Sequence, residues 1–193
     1  MGACHLLAVG GTLRSNSSTE KALRHVLDCA VGLGATVELI CGHDLDLPPY
    51  SPEDPERTDT ARQLIAAFRR ADAVVIGSPG YHGGISGLVK NALDYTEDLR
   101  NDPSPYFDSR PIGCIATGAG WQGAVSTLSA MRNVVHALRG WNTPVGVPIN
   151  TIDHPFADDG RCVDAKIAGA LNLMARQLVE FHRDRNAMAS EHR

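Results

Sequence analysis

The sequence predicts a three-layer α/β/α fold around a five-stranded parallel sheet of strand order 2-1-3-4-5. Three observations carry that prediction. Short apolar runs alternate with longer stretches whose apolar residues recur at helical spacing. Strands joined through helices form parallel sheets covered on both faces. Glycine-rich turns follow the first, third and fourth strands, whose carboxyl ends lie side by side in that order.

Residues 6–9 form the first strand, and Ala22, Leu23, Val26, Leu27, Ala30 and Val31 make one face of the helix behind it. Residues 36–40 are the second strand, and the proline-rich stretch 44–52 is a loop. Leu64, Ile65 and Phe68 mark the next helix, and residues 73–76 the third strand. A helix then runs through Leu88, Ala92 and Tyr95, followed by a connection over 96–110 long enough to suggest a lid or a subunit contact. The fourth strand is 112–116, and Val125, Leu128, Met131, Val134, Val135 and Leu138 line a helix after it. Residues 144–149 are an edge strand, because Pro144 and Pro148 cannot donate ladder hydrogen bonds. Ile167, Leu171, Met174, Leu178 and Phe181 define the last helix, and the single domain ends near residue 185 with a frayed tail over 186–193.

With 193 residues and 43% apolar content the chain can bury one sizeable core. A formal charge of -4 provides no field that would attract nucleic acid or an anionic membrane surface. There is no membrane-length apolar stretch and no signal-peptide pattern at the start, so a cytoplasmic protein is expected. The five cysteines are scattered without a CxxC pair, which argues against a disulfide framework or a zinc or iron–sulfur ligand set; Cys114 reads as a buried apolar side chain. Asp153, His154 and His136 form no metal-ligating pattern, and His192 has no partner for one.

The turns carry the chemistry. After the first strand, Gly10 and Gly11 permit a tight turn, Thr12, Ser17 and Ser18 offer hydroxyls, Arg14 offers a fork of donors, and the next helix presents free N–H groups. That is a cradle for one phosphate monoester, since neither GxxxxGK[ST] nor GxGxxG is present. The plainer alternative is a turn with Ser17, Ser18 or Thr19 as helix cap and Glu20 in the first turn. After the third strand, Pro79, Gly80, Tyr81, His82, Gly83 and Gly84 set a ring and a glycine rim where a flat cofactor fits; His82 reads first as a loop residue satisfying backbone groups, with a flavin or substrate contact or protonation of a reduced acceptor as the alternatives. After the fourth, Thr117, Gly118, Ala119, Gly120, Trp121, Gln122 and Gly123 form a third turn. A phosphate at Arg14 and a ring system spanning Tyr81 to Trp121 suit flavin mononucleotide.

These motifs resemble the NAD(P)H-dependent FMN reductase family of flavodoxin-like proteins. The likeness runs from the first strand to the final helix and rests on Gly11, Thr12, Leu13, Arg14 and Ser17, on Pro79-Gly80-Tyr81 through Leu88-Val89-Lys90-Asn91-Ala92-Leu93-Asp94, and on Thr117-Gly118-Ala119-Gly120. It implies a flavodoxin-like fold, noncovalent FMN, and a homodimer or homotetramer packed through the helices after strands three and four. It implies phosphate ligands at Thr12, Arg14 and Ser17, isoalloxazine contacts at Pro79, Tyr81, His82, Gly83 and Gly84, and contacts to the polar edge of the flavin at Thr117, Gly118, Ala119 and Gly120. Family members more often carry serine at the Thr12 position, glutamate at Gly80 and asparagine at His82.

Hydride transfer from NADPH or NADH to flavin N5 needs positioning more than a side-chain acid or base, so no catalytic residue is assigned. Backbone N–H groups of residues 118–120 suit negative charge near N1 and O2. Trp121 either covers the flavin, lines the acceptor groove or belongs to an interface; Gln122 can bond the flavin edge. Lys90 reads as a solvent-facing or bridging charge. Arg69, Arg70 and Arg132 either meet an NADPH phosphate or, for Arg69 and Arg70, compensate a helix dipole. The expected outlets for the electrons are free flavin, a quinone or azo acceptor, or a partner monooxygenase. The competing roles are a flavodoxin-type electron carrier without nicotinamide turnover and a flavin-binding regulatory protein.

Overall fold

The computed structural model describes residues 2–191, with side chains to residue 188. It contains β1 (His5–Gly10), α1 (Ser18–Gly32), β2 (Thr36–Cys41), α2 (Asp59–Arg70), β3 (Ala73–Tyr81), β4 (Gly84–Ile85), α3 (Gly87–Asp94), β5 (Pro111–Gly118), α4 (Trp121–Ala137), β6 (Trp141–Asn142), β7 (Val147–Asn150) and α5 (Ala165–Glu191). The main path is β2-β1-β3-β5-β6, all parallel. That is the expected 2-1-3-4-5 arrangement, with the fifth position divided between β6 and β7, which both pair with β5. Pro144 lies in the gap between them, and Pro148 in β7 lacks a ladder donor, which an edge strand tolerates.

Alternation along the strands decides what each layer covers. Leu7, Val9, Val74, Ile76, Ile112 and Ala116 face one side and are buried with Leu64 and Phe68 of α2, Val89 and Leu93 of α3, and Met131 and Val135 of α4. Leu6, Ala8, Val75 and Ile115 face the other and are buried with Leu23 and Val26 of α1 and Leu171, Met174 and Leu178 of α5. α1, α2 and α3 start at hydroxyl caps: Ser17 accepts the Glu20 N–H, Thr58 the Ala61 N–H and Ser86 the Val89 N–H. Such caps are each worth about 1 kcal/mol.

Four expectations need correction. β3 runs past Ile76 to Tyr81, because Ser78 and Pro79 still pair with Ala116 and Thr117, and it turns back into β4, so the third-strand loop is a hairpin. The connection 96–110 is no lid over the carboxyl ends: it leads into the amino end of β5 and is anchored by fully buried Phe107, whose ring lies 5.3 Å from that of Phe68. α3 stops at Asp94, with residues Tyr95–Leu99 in a 3-10 turn. The helix α5 continues to Glu191, so residues 186–191 extend it; His192 and Arg193 lie outside the described residues.

The loop between β2 and α2 is fastened to α3. Asn91 accepts the Tyr50 N–H at 2.8 Å and donates to the carbonyls of Leu47 and Pro48 at 3.2 and 2.9 Å. Farther along, Arg57 grips Asp98 through Nε at 2.7 Å and Nη2 at 3.0 Å, stacks 4.9 Å from the Tyr50 ring centre, and shares Asp98 with the Tyr50 hydroxyl at 3.1 Å. Hydrogen bonding from Arg57 holds the Asp98 carboxyl below its ordinary pKa. Among the described residues, no helix is long and apolar enough to cross a membrane.

Candidate cofactor site

The first turn is built by close backbone approach. Gly10 has φ of 144°, and a Cβ there would sit 1.9 Å from the Gly77 carbonyl oxygen, so only glycine lets β1 lie this close to β3. Gly11 then donates to the same oxygen at 3.1 Å. The Thr12 hydroxyl accepts the Arg14 N–H and donates to the Arg14 carbonyl, both at 3.1 Å, folding the loop back on itself. Arg14 is exposed, and no acid or carbonyl among the described residues takes its guanidinium. An unpaired arginine beside a helix start is the donor set a phosphate needs.

Ser17 has a second duty. It is buried, and its oxygen caps α1 by accepting the Glu20 N–H at 3.2 Å, so the plain capping alternative applies to it; its own hydroxyl proton remains a donor. Ser18 is the first residue of α1 and half-buried. Glu20 returns the contact by accepting the Asn16 N–H at 3.0 Å, a capping-box arrangement shifted by one residue. Its negative charge, close to the cradle, is met by Arg24 at 2.9 and 2.8 Å.

The second turn is a two-residue hairpin. Gly80 pairs with Ile85 and Tyr81 with Gly84, leaving His82 and Gly83 at the tip with φ of 53° and 82°. Positive φ at both central positions is the geometry of a type I′ turn, which Asn-Gly suits best and His tolerates better than branched residues. The local role of His82 is therefore conformational: its side chain is exposed at the tip. At the hairpin base, the Ser78 hydroxyl accepts the Ser86 N–H at 3.0 Å. The Lys90 ammonium pairs with Asp94 one turn along α3.

The third turn is shorter than expected. Thr117 and Gly118 close β5, and Trp121, Gln122 and Gly123 already belong to α4, leaving Ala119 and Gly120 as the turn. The Thr117 hydroxyl is buried against that of Thr19 at 2.7 Å, and the Gly120 N–H is taken by Asn150 at 2.9 Å. Neither group is free in the way the sequence suggested. Trp121 is exposed at the helix start.

Between the first turn and the hairpin opens a cleft of about 540 Å³ lined by Gly11, Thr12, Leu13, Arg14, Pro79, Tyr81, Ser86, Gly87 and Leu88. Its size falls within the roughly 300–1,000 Å³ of small-molecule sites. The first two sequence motifs therefore meet, while Gly80, His82, Gly83, Gly84 and the residues 117–122 flank the cleft or lie beyond its lining. The donor set fits FMN: a free guanidinium at one end, with the Thr12 hydroxyl spent on shaping the loop that carries it, and a proline and an aromatic ring at the other. Arg69 and Arg70 pair with Asp102 and Glu38, and Arg110 holds the Phe68 carbonyl nearby, all toward the amino ends of the strands; Arg132 donates to the Thr143 carbonyl.

The model of the NADPH-dependent FMN reductase family matches residues 4–155, which include every turn just described. The chain belongs to that family. An FMN-dependent NADPH-azoreductase of Staphylococcus aureus is 30% identical over 141 residues, 72% of this chain and 71% of the relative. The fold is shared with FerB, a flavoenzyme NAD(P)H:(acceptor) oxidoreductase from Paracoccus denitrificans (TM-score 0.75, 22% identity, covering 94% of this chain and 98% of that one). It is shared too with a flavodoxin, WrbA-like protein from Agrobacterium tumefaciens (TM-score 0.64, 16% identity, 95% and 99% covered). As an NAD(P)H-dependent FMN reductase, the protein uses FMN and a reduced nicotinamide.

Three contacts that hold the second and third turns of this FMN reductase in place escaped the sequence reading. Asn150 fixes the third turn from the end of β7, Thr19 meets Thr117 across 98 residues of chain, and Thr127 donates to the Gly84 carbonyl at 3.2 Å. Each acts over long sequence separation, and Thr127 alone carries a local hint, a hydroxyl among the apolar positions of an otherwise core-facing helical stripe.

Proposed function

We propose that this reductase keeps FMN in the cleft through turnover and passes the electrons to a flat, weakly polar acceptor such as an azo compound or a quinone. The observation that carries this reading is the character of the cleft walls. Leu13 and Tyr81 are 43% and 57% exposed there, Leu88 joins them, and Arg14 is the one charged residue of the lining. An acceptor entering over such walls loses little by shedding water if it is itself apolar. The azoreductase relative supports the same acceptor class.

In this reading Arg14 holds the phosphate, Thr12 joins it by turning its hydroxyl proton from the Arg14 carbonyl to the ligand, and the start of α1 adds its dipole. Pro79 and Tyr81 bound the ring system and limit its motion, so that reacting groups meet at a fixed distance. Bound FMN supplies hydride acceptance from NADPH or NADH and onward delivery to the acceptor. Copies of the chain pair through α3 and α4, where Trp121 and Val125 stay 52% and 48% exposed on α4.

The test is purification, a visible spectrum, and anaerobic titration with NADPH and with NADH, followed by an azo dye or a benzoquinone. Yellow protein that is bleached by nicotinamide and recoloured by the acceptor, with flavin retained on gel filtration, is the expected result. Colourless protein that reduces added FMN and releases it would point instead to supply of a separate monooxygenase.

A further inference from the structure

We propose that Thr127 is a positioning residue that sets where the Tyr81 hairpin stands and thereby how tightly the cleft grips a planar ring. This rests on the placement of FMN argued above.

Thr127 is fully buried in the second turn of α4 and does not line the cleft. Its hydroxyl touches both strands of the hairpin. On β4 it donates to the Gly84 carbonyl at 3.2 Å. On β3 it lies where a Cβ on Gly80 would come within 2.5 Å of it, with the Gly123 carbonyl only 3.1 Å away, so the bare Cα of Gly80 is what lets the hairpin settle against α4. A two-stranded ribbon of two residue pairs has little stability of its own, so its position depends on such a tether.

The neighbouring hydroxyls show that this is not the usual habit of a hydroxyl residue in a helix. Ser126 and Ser129 in α4 donate to the carbonyls four residues back, Gln122 and Val125, at 2.8 and 3.1 Å. Thr127 instead spends its proton across the interface, on the element that carries Tyr81. Replacing the hydroxyl by a methyl keeps the shape of the side chain and removes only the donor. The half-exposed Gly84 carbonyl then turns to water, and the hairpin moves while the core stays filled.

Binding of FMN and of riboflavin to the apoprotein, followed by flavin fluorescence, tests this alongside apoprotein melting. Thr127→Val should weaken both ligands by about five- to tenfold, the size of one lost hydrogen bond, while Thr127→Ser keeps both within about twofold because the donor is kept. Gly80→Ala, which drives a methyl into the same contact, should weaken both ligands as well, and it stands in if Thr127→Val does not fold. Arg14→Ala reports separately on the phosphate, weakening FMN and sparing riboflavin. If Arg14→Ala behaves so while Thr127→Val and Gly80→Ala bind both flavins like wild type, with or without a lower melting temperature, the positioning role is overturned and the cofactor site stands. If Arg14→Ala too leaves FMN binding unchanged, the site itself has been misplaced, and the role of Thr127 falls with it.

Discussion

The side-chain oxygen of Asn150 accepts the Gly120 N–H at 2.9 Å, so the turn ahead of α4 is held by the end of the edge strand β7. The same oxygen takes the Ile152 N–H at 3.2 Å, and the Asn150 amide donates to Asp153 at 3.0 Å. α4 has no side-chain cap of its own, and Asn150 takes part of that role from a distance. Asn150→Ala should therefore lower stability by about 0.5–1.5 kcal/mol, the net worth of a hydrogen bond whose donor is only part-buried. Urea unfolding of the apoprotein checks this, and hydrogen exchange should localise the loosened amides to the turn and the first turn of α4.

Arg14→Ala should weaken FMN by roughly ten- to a hundredfold, as expected for a charge-assisted contact. The apoprotein melting temperature should not move, since this guanidinium has no partner among the described residues. Equilibrium fluorescence and a thermal melt together separate ligand loss from fold loss.

His82 occupies a left-handed position at the hairpin tip. His82→Asn should leave stability unchanged or raise it slightly, because asparagine is at home in a type I′ turn. His82→Val should cost about 1–3 kcal/mol, since a branched side chain resists that backbone geometry. Paired urea titrations of the two variants decide it; equal stabilities would show that the turn relaxes to another type.

The Arg57–Asp98 pair predicts a particular acid response. The folded-state pKa of Asp98 lies below its ordinary 3.8, chiefly through hydrogen bonding from Arg57. Its stabilisation is therefore full above the ordinary value and is lost as pH falls through the depressed one. Between about pH 5 and pH 2, stability should fall more steeply in the wild type than in Asp98→Asn, which lacks the titrating group. A series of denaturant midpoints across that range measures the difference.

Val125→Asp puts a charge on the exposed stripe of α4 beside Trp121. If copies pair there, light scattering should show the variant shifting to lower mass, while a far-ultraviolet spectrum like the wild type's confirms an intact fold. An unchanged mass removes α4 from the interface.

Strand and helix identities were readable because burial leaves a local signature. Leu6 to Val9 form an unbroken apolar run, and Leu64, Ile65 and Phe68 recur at helical spacing. The first turn was readable for the same reason, with Gly10, Thr12 and Arg14 close together in the chain. The extension of β3 through Pro79 was not, because proline marks a break unless a neighbouring strand, here Thr117 in β5, continues the pairing. The capping duty of Ser17 was readable, since its partner Glu20 lies three residues on; the commitments of Thr117 and the Gly120 amide were not, because a hydroxyl or amide looks free until its partner is placed, and Thr19 and Asn150 come from distant parts of the chain. The Asn91 clamp fell between these cases, visible as part of a motif but not as a bolt on the β2–α2 loop.

The split outer strand has a consequence for crowded solutions. With Pro144 interrupting it and Pro148 offering no N–H, that rim presents a broken row of donors to any passing extended peptide. Fibrous growth by sheet extension is thus discouraged on that side of the molecule, which leaves β2 as the edge where it could begin.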